Sequence, residues 1–148
     1  MQNEVSNSRK VDDFVLDSYA LFAYLEAEPG SNRVMELLEL ARRGKVRLHM
    51  CVVNLGEVMY IVERELGIQK AQETLARIDE LPIVIVDVDR QLTLSAAHLK
   101  MDCPIACADC FAAALSQAKQ ATLVTGDPEF NKIKSECNVK IEWLVDPK

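Results

Sequence analysis

Three features of this chain predict an α/β fold, three-layered, with a mostly parallel central sheet of four to five strands flanked by helices. Short apolar runs rich in branched residues, such as Ile83-Val84-Ile85-Val86, alternate with segments whose apolar residues recur at helical spacing. Strands separated by helices imply parallel pairing, because parallel neighbours need crossover connections that cover both sheet faces. The 148 residues, 49% hydrophobic and 27% charged, suit one domain with a single core. A polar tail over 1–12 and one domain over 13–146 are expected.

Phe14-Val15-Leu16-Asp17 reads as a short buried strand, and Ala20 to Leu25 as a helix stopped by Pro29-Gly30. Val34, Leu37, Leu38 and Ala41 share a face of a helix near Asn32 to Arg43, with Gly44 as its stop. Val46 to Val53 forms a second strand. Asn54 is expected to cap a helix carrying Val58, Ile61, Val62 and Leu66 that ends at Gly67, and Gln69 to Glu80 forms another amphipathic helix. Ile83 to Val86 is the third strand, followed by a helix near Asp89 to Lys100. Ile105 to Lys119 is an alanine-rich helix, Ala121 to Thr125 a fourth strand, and Lys140 to Leu144 a candidate fifth in which Trp143 anchors the strand.

Composition removes several functional classes. The apolar runs are too short to span a bilayer and the first ten residues lack a signal peptide's apolar stretch, so a soluble cytoplasmic protein with no membrane partner is expected. A net charge of -6 argues against a large surface that coats DNA nonspecifically. Five cysteines, at 51, 103, 107, 110 and 137, do not suit a disulfide framework and read as reduced, packed thiols. Cys103-x-x-x-Cys107-x-x-Cys110 has an iron–sulfur spacing, with His98 nearby as a zinc ligand candidate. Helical spacing within an alanine-rich segment favours packing instead. His49 and His98 read as packing or surface residues. In the basic run Arg42-Arg43-Gly44-Lys45, the positive side chains suit a helix C-terminus, and with Arg33 they are also candidate contacts for RNA phosphates.

Acidic residues interrupt four apolar runs: Asp17 after Phe14-Val15-Leu16, Glu57 in Val52-Val53-Asn54-Leu55-Gly56-Glu57-Val58, Asp109 in Ala106-Cys107-Ala108-Asp109-Cys110, and Asp127 after Leu123-Val124-Thr125-Gly126. Each has a local explanation. Asp17 and Asp127 suit helix N-caps, and Glu57 completes a capping box with Asn54. Asp109 fits least well, since Ile105, Ala106, Ala112 and Ala113 surround it on the helix.

Asp17 and Asp127 fall at strand carboxyl ends, where such sheets bind ligands, and Glu57 in the first turn of one helix and Asp109 near the start of another reach the same rim. Two carboxylates about 5 Å apart repel by roughly 3 kcal/mol at an effective dielectric near 20. A divalent cation resolves that conflict, and an oxygen-lined site for Mg²⁺ or Mn²⁺ suits a phosphodiester substrate.

These stretches resemble the PIN-domain ribonucleases, and among them the VapC-type toxins of prokaryotic toxin–antitoxin pairs. The match runs through Phe14-Val15-Leu16-Asp17-Ser18-Tyr19-Ala20-Leu21, Val53-Asn54-Leu55-Gly56-Glu57-Val58, Ala108-Asp109-Cys110-Phe111-Ala112-Ala113-Ala114-Leu115 and Ala121-Thr122-Leu123-Val124-Thr125-Gly126-Asp127-Pro128-Glu129-Phe130, and covers about Phe14 to Leu144. The resemblance implies a PIN-like fold and an acidic quartet, Asp17, Glu57, Asp109 and Asp127, that is catalytic and binds one or two Mg²⁺ or Mn²⁺ ions. Ser18 and Thr125 would supply hydroxyls that steady those ligands.

The implied reaction is hydrolysis of RNA by a metal-activated water attacking in line, by a homodimer whose acidic groove a cognate antitoxin covers. Cys107 stands where the pattern has a serine, and Asn131 where a further acid is sometimes found. Other readings are an inert PIN-fold binding or scaffold module and a receiver-like phosphoacceptor. For the latter the acidic pair Asp12-Asp13 precedes the first strand and no suitable lysine follows the last. A haloacid-dehalogenase-type phosphatase fails because Tyr19 stands where its second Asp belongs.

Overall fold

The computed structural model describes residues 10–147. Most of the expected N-terminal tail lies outside the described residues. Five strands form one sheet in the order β3-β2-β1-β4-β5, every neighbouring pair parallel: β1 Asp12–Leu16, β2 Val46–Cys51, β3 Ile83–Val86, β4 Thr122–Thr125 and β5 Lys140–Trp143. Six helices connect them: α1 Ser18–Leu25, α2 Ser31–Arg42, α3 Val52–Leu66, α4 Ile68–Asp79, α5 Arg90–Asp102 and α6 Cys107–Lys119. Two short 3-10 turns, Pro128–Lys132 and Ser135–Cys137, lie between β4 and β5.

Alternation along the strands splits the core into two halves. Val15, Cys51 and Leu123 face α5 and α6 with Leu92, Ala96, Leu99, Cys110 and Leu115. Leu16, Leu48, Met50 and Val124 face the other way, onto α1 to α4. The sheet is therefore covered on both sides, as its continuous apolar runs require. Alanines 112, 113 and 114 are buried, so α6 packs closely on the sheet.

Three of the boundaries that differ from the sequence reading do so for a visible reason. β1 takes in Asp12 and Asp13 because Asp13 pairs with Arg47 on β2 and receives its guanidinium at 2.9 and 3.0 Å and the His49 ring at 2.8 Å. The second strand stops at Cys51, and Val52 and Val53 wind into the first turn of α3 despite their branched side chains. Asn54 is consequently inside the helix and caps nothing, and the expected capping box with Glu57 does not form. Finally, α6 starts at Cys107, after Pro104 and an extended Ala106, so Asp109 lies in its first turn. Among the described residues no helix is long and apolar enough to cross a membrane.

Candidate active site

The strand order creates the site. The chain builds outward from β1 to β2 and β3, then returns to place β4 on β1's other side, so β1 and β4 flank the topological switch point, beyond whose carboxyl ends such sheets place their ligands. Asp17 follows β1 directly and Asp127 follows β4 by two residues. Both are helix caps as well. Asp17 Oδ1 accepts the Ala20 N–H at 2.9 Å, and Asp127 Oδ1 accepts the Glu129 N–H at 2.9 Å. Capping leaves the remaining carboxylate lone pairs for other work.

Thr125 joins these two acids. Its hydroxyl donates to Asp17 Oδ2 at 2.5 Å and accepts the Asp127 N–H at 3.0 Å, with the threonine fully buried. The other hydroxyl singled out, Ser18, does not touch an acid. It donates to the Asn54 carbonyl at 3.4 Å and so ties α1 to α3.

Asn54 is the residue that sequence reasoning misassigned. It is completely buried, its Nδ2 donates to the Ala108 carbonyl at 3.2 Å, and its Oδ1 is buried with no partner. The amide therefore links the helix bearing Glu57 to the turn bearing Asp109. Glu57 itself sits in the second turn of α3, half-buried, because the helix starts earlier than the sequence suggests.

Electrostatics show that the acids share one neighbourhood. Burial pushes the Asp17 carboxyl up to about 7 against its hydrogen bonds from Thr125 and Ala20, and the charges of Asp109 and Asp127 push the same way. Burial likewise takes Asp109 up to about 7, reinforced by Asp127, Glu57 and Glu129 and opposed by Lys100. Glu129, two residues after Asp127, and Lys100, whose Nζ donates to the Ile105 carbonyl at 2.5 Å, thus belong to the site although the sequence reading assigned neither.

The donor chemistry fits a hard divalent cation: carboxylate oxygens only, unneutralised and mutually repelling. Their spacing is open. Among the described residues no three His, Cys, Asp or Glu side chains are gathered closely enough to hold a metal ion as they stand.

The basic run lies elsewhere. Arg42, Arg43 and Lys45 sit at the amino end of β2, a strand's length of roughly 15–20 Å from the acid rim at about 3.3 Å per residue, and Glu39 pairs with Arg43 at 3.2 Å and Arg42 at 3.8 Å. Arg33 is held by Glu142 through two bonds of 2.9 Å and by Glu36 at 3.0 Å. His98 is exposed on α5, and all five cysteines are free thiols.

A family model described as PIN domain matches residues 14–136. No curated protein matches the sequence. Among solved structures the chain is similar to DNA-bound VapBC from Salmonella typhimurium, with TM-score 0.71 and 17% identity over 91% of this chain and 100% of that one. It is similar also to a toxin–antitoxin complex from Klebsiella pneumoniae, with TM-score 0.67 and 13% identity over 89% and 98% of the two chains. A third is VapC20 of Mycobacterium tuberculosis, a toxin that cleaves the sarcin–ricin loop, with TM-score 0.63 and 15% identity over 80% and 92%.

Proposed function

The chain belongs to the PIN-domain family, and from that premise we propose that it is a divalent-metal-dependent ribonuclease, the toxin of a toxin–antitoxin pair. The observation that carries the reading is the gathering of acids from β1, α3, α6 and β4 at the switch point, where burial first, and then the charge of neighbouring acids, push the Asp17 and Asp109 carboxyls up to about 7. Functional sites are where such shifts concentrate. Asp17, Glu57, Asp109 and Asp127 would hold one or two Mg²⁺ or Mn²⁺ ions. When bound, such an ion makes water a better nucleophile and offsets charge building on the phosphodiester and its leaving oxygen.

The protein's own part is to aim and hold. Thr125 donates to Asp17, which favours its ionised form, and at the same time anchors the backbone of Asp127, so one hydroxyl fixes two ligands. Asn54 fastens α3 to α6 and thereby holds Glu57 relative to Asp109. Lys100 supplies positive charge beside Asp109, which eases the approach of a polyanion to an acidic rim. The likeness to VapBC and to a toxin–antitoxin complex supports a cognate antitoxin as partner; a homodimer as the working form belongs to the proposal through the family resemblance alone.

RNA cleavage by wild type and Asp109→Asn, each with Mg²⁺, with Mn²⁺ and with chelator, tests the reading. Cleavage is expected only with metal, and the substitution is expected to lower it by at least about two orders of magnitude, the scale of one strong electrostatic contact. Equal activity in the two proteins would refute the role of Asp109.

The second reading, an inert PIN-fold module that binds RNA or protein without cutting, draws on the open spacing of the carboxylates. It predicts RNA binding that metal neither requires nor converts into cleavage.

A further inference from the structure

We propose that Cys103 and Cys137 form an oxidation site that closes into an intramolecular disulfide. Their sulfurs lie 4.0 Å apart although the residues are 34 positions apart in sequence. A disulfide needs about 2.05 Å between sulfurs, so roughly 2 Å must be closed, within reach of a side-chain rotation at a residue on a one-turn 3-10 segment. Cys137 is on such a segment, Ser135–Cys137, while Cys103 is buried at the end of α5. The two backbones are already fixed close together. Gln117 Nε2 donates to the Cys137 carbonyl and holds that turn on α6, and the Cys103 N–H donates to the Leu99 carbonyl at 2.9 Å.

Access is one-sided. Cys137 is half-buried and borders a cavity of about 270 Å³ lined also by His98, Asp102, Lys134 and Glu136, whereas Cys103 is 1% exposed. An oxidant therefore meets Cys137 first. The Cys137 thiolate attacks a small-molecule disulfide, forming a mixed disulfide and releasing one thiol. Cys103, having given its proton to solvent, then attacks the Cys137 sulfur and expels the second thiol. Two protein thiols become one disulfide as the oxidant's disulfide becomes two thiols.

Burial, the Cys103 contact and the charges of Asp102 and Glu136 push the Cys137 thiol up, so the first step is slow at neutral pH and faster in mild alkali. The ring that closes contains α6, β4 and the first 3-10 turn, and hence both Asp109 and Asp127. The covalent chemistry stands whether or not those acids cut RNA.

The test treats the full chain with glutathione disulfide at about pH 8.5, a thiolate-forming pH, and reads intact mass and peptide maps. The expected product has lost two hydrogen atoms, links the Cys103 and Cys137 peptides, and reverts with a dithiol reductant. Cys137→Ser, at a partly exposed position, is expected to stay folded by circular dichroism and to lose the link, leaving adducts only at other thiols such as the exposed Cys107. A stable glutathione adduct on Cys137, a link between Cys107 and Cys110 instead, or unchanged mass after prolonged oxidation would overturn the proposal.

Discussion

Asp109 has no hydrogen-bond partner among the described side chains to favour its charge, which makes it the most telling single residue. Burial, reinforced by neighbouring acids, takes its carboxyl from 3.8 up to about 7 on folding, so its ionised form opposes the folded state. The sign follows from proton counting. Between pH 4 and 7 the unfolded chain has ionised this group while the folded chain keeps it protonated, so rising pH costs folding stability across that window and the full cost is present above it.

Asp109→Asn removes the titration. In chelator, the melting temperature of the variant should therefore gain on wild type as pH rises from 4 to 7 and hold that gain at pH 8; a difference independent of pH would contradict the assignment. Asn54→Ala leaves the Ala108 carbonyl without its partner and loosens α3 from α6. A destabilisation of about 1–3 kcal/mol by urea unfolding is expected, with cleavage falling further than stability explains. The acids were legible because charge interrupting an apolar run is costly and needs a reason. Asn54 was not, because its local pattern suggested a cap while its actual partner is 54 residues away.

At the scale of elements, the turn from β4 to Asp127 depends on a close approach. A Cβ on Gly126 would lie 2.2 Å from Tyr19 Cε1 and 2.6 Å from Cζ, so the ring at the start of α1 rests directly on this glycine. Gly126→Ala must push the ring or the turn aside. Since the same turn presents Asp127 and the same helix start presents Asp17, the substitution should lower the melting temperature by several degrees, the scale of about 1–3 kcal/mol of overpacking, and weaken cleavage. Wild-type stability in this variant would show that the contact is slack. The end of β2 shows the limit of reading elements from pattern. Val52 and Val53 continue a branched, strand-like run, but β3's register partners end at Cys51, and the helix begins where pairing stops. Likewise Arg33 looked free for RNA, and the Glu142 that holds it lies 109 residues away.

Across the whole molecule, the alternation of strands and helices was enough to anticipate a parallel three-layer sheet, because few topologies satisfy short right-handed crossovers. The strand order, with β1 at the centre and β4 returning beside it, was not written in any local segment, yet it is what places Asp17 and Asp127 at one switch point. The account's central claim is that acids from β1, α3, α6 and β4 answer to one shared cation. Calorimetric titration of Mn²⁺ into the metal-free protein at about pH 8, where burial-raised carboxyls are ionised, tests it most directly. Wild type should bind, and Asp17→Asn, Glu57→Gln, Asp109→Asn and Asp127→Asn should each weaken binding by about tenfold or more, the least expected for removing a ligand. Wild-type affinity in any three of those variants would mean that the four residues do not act together.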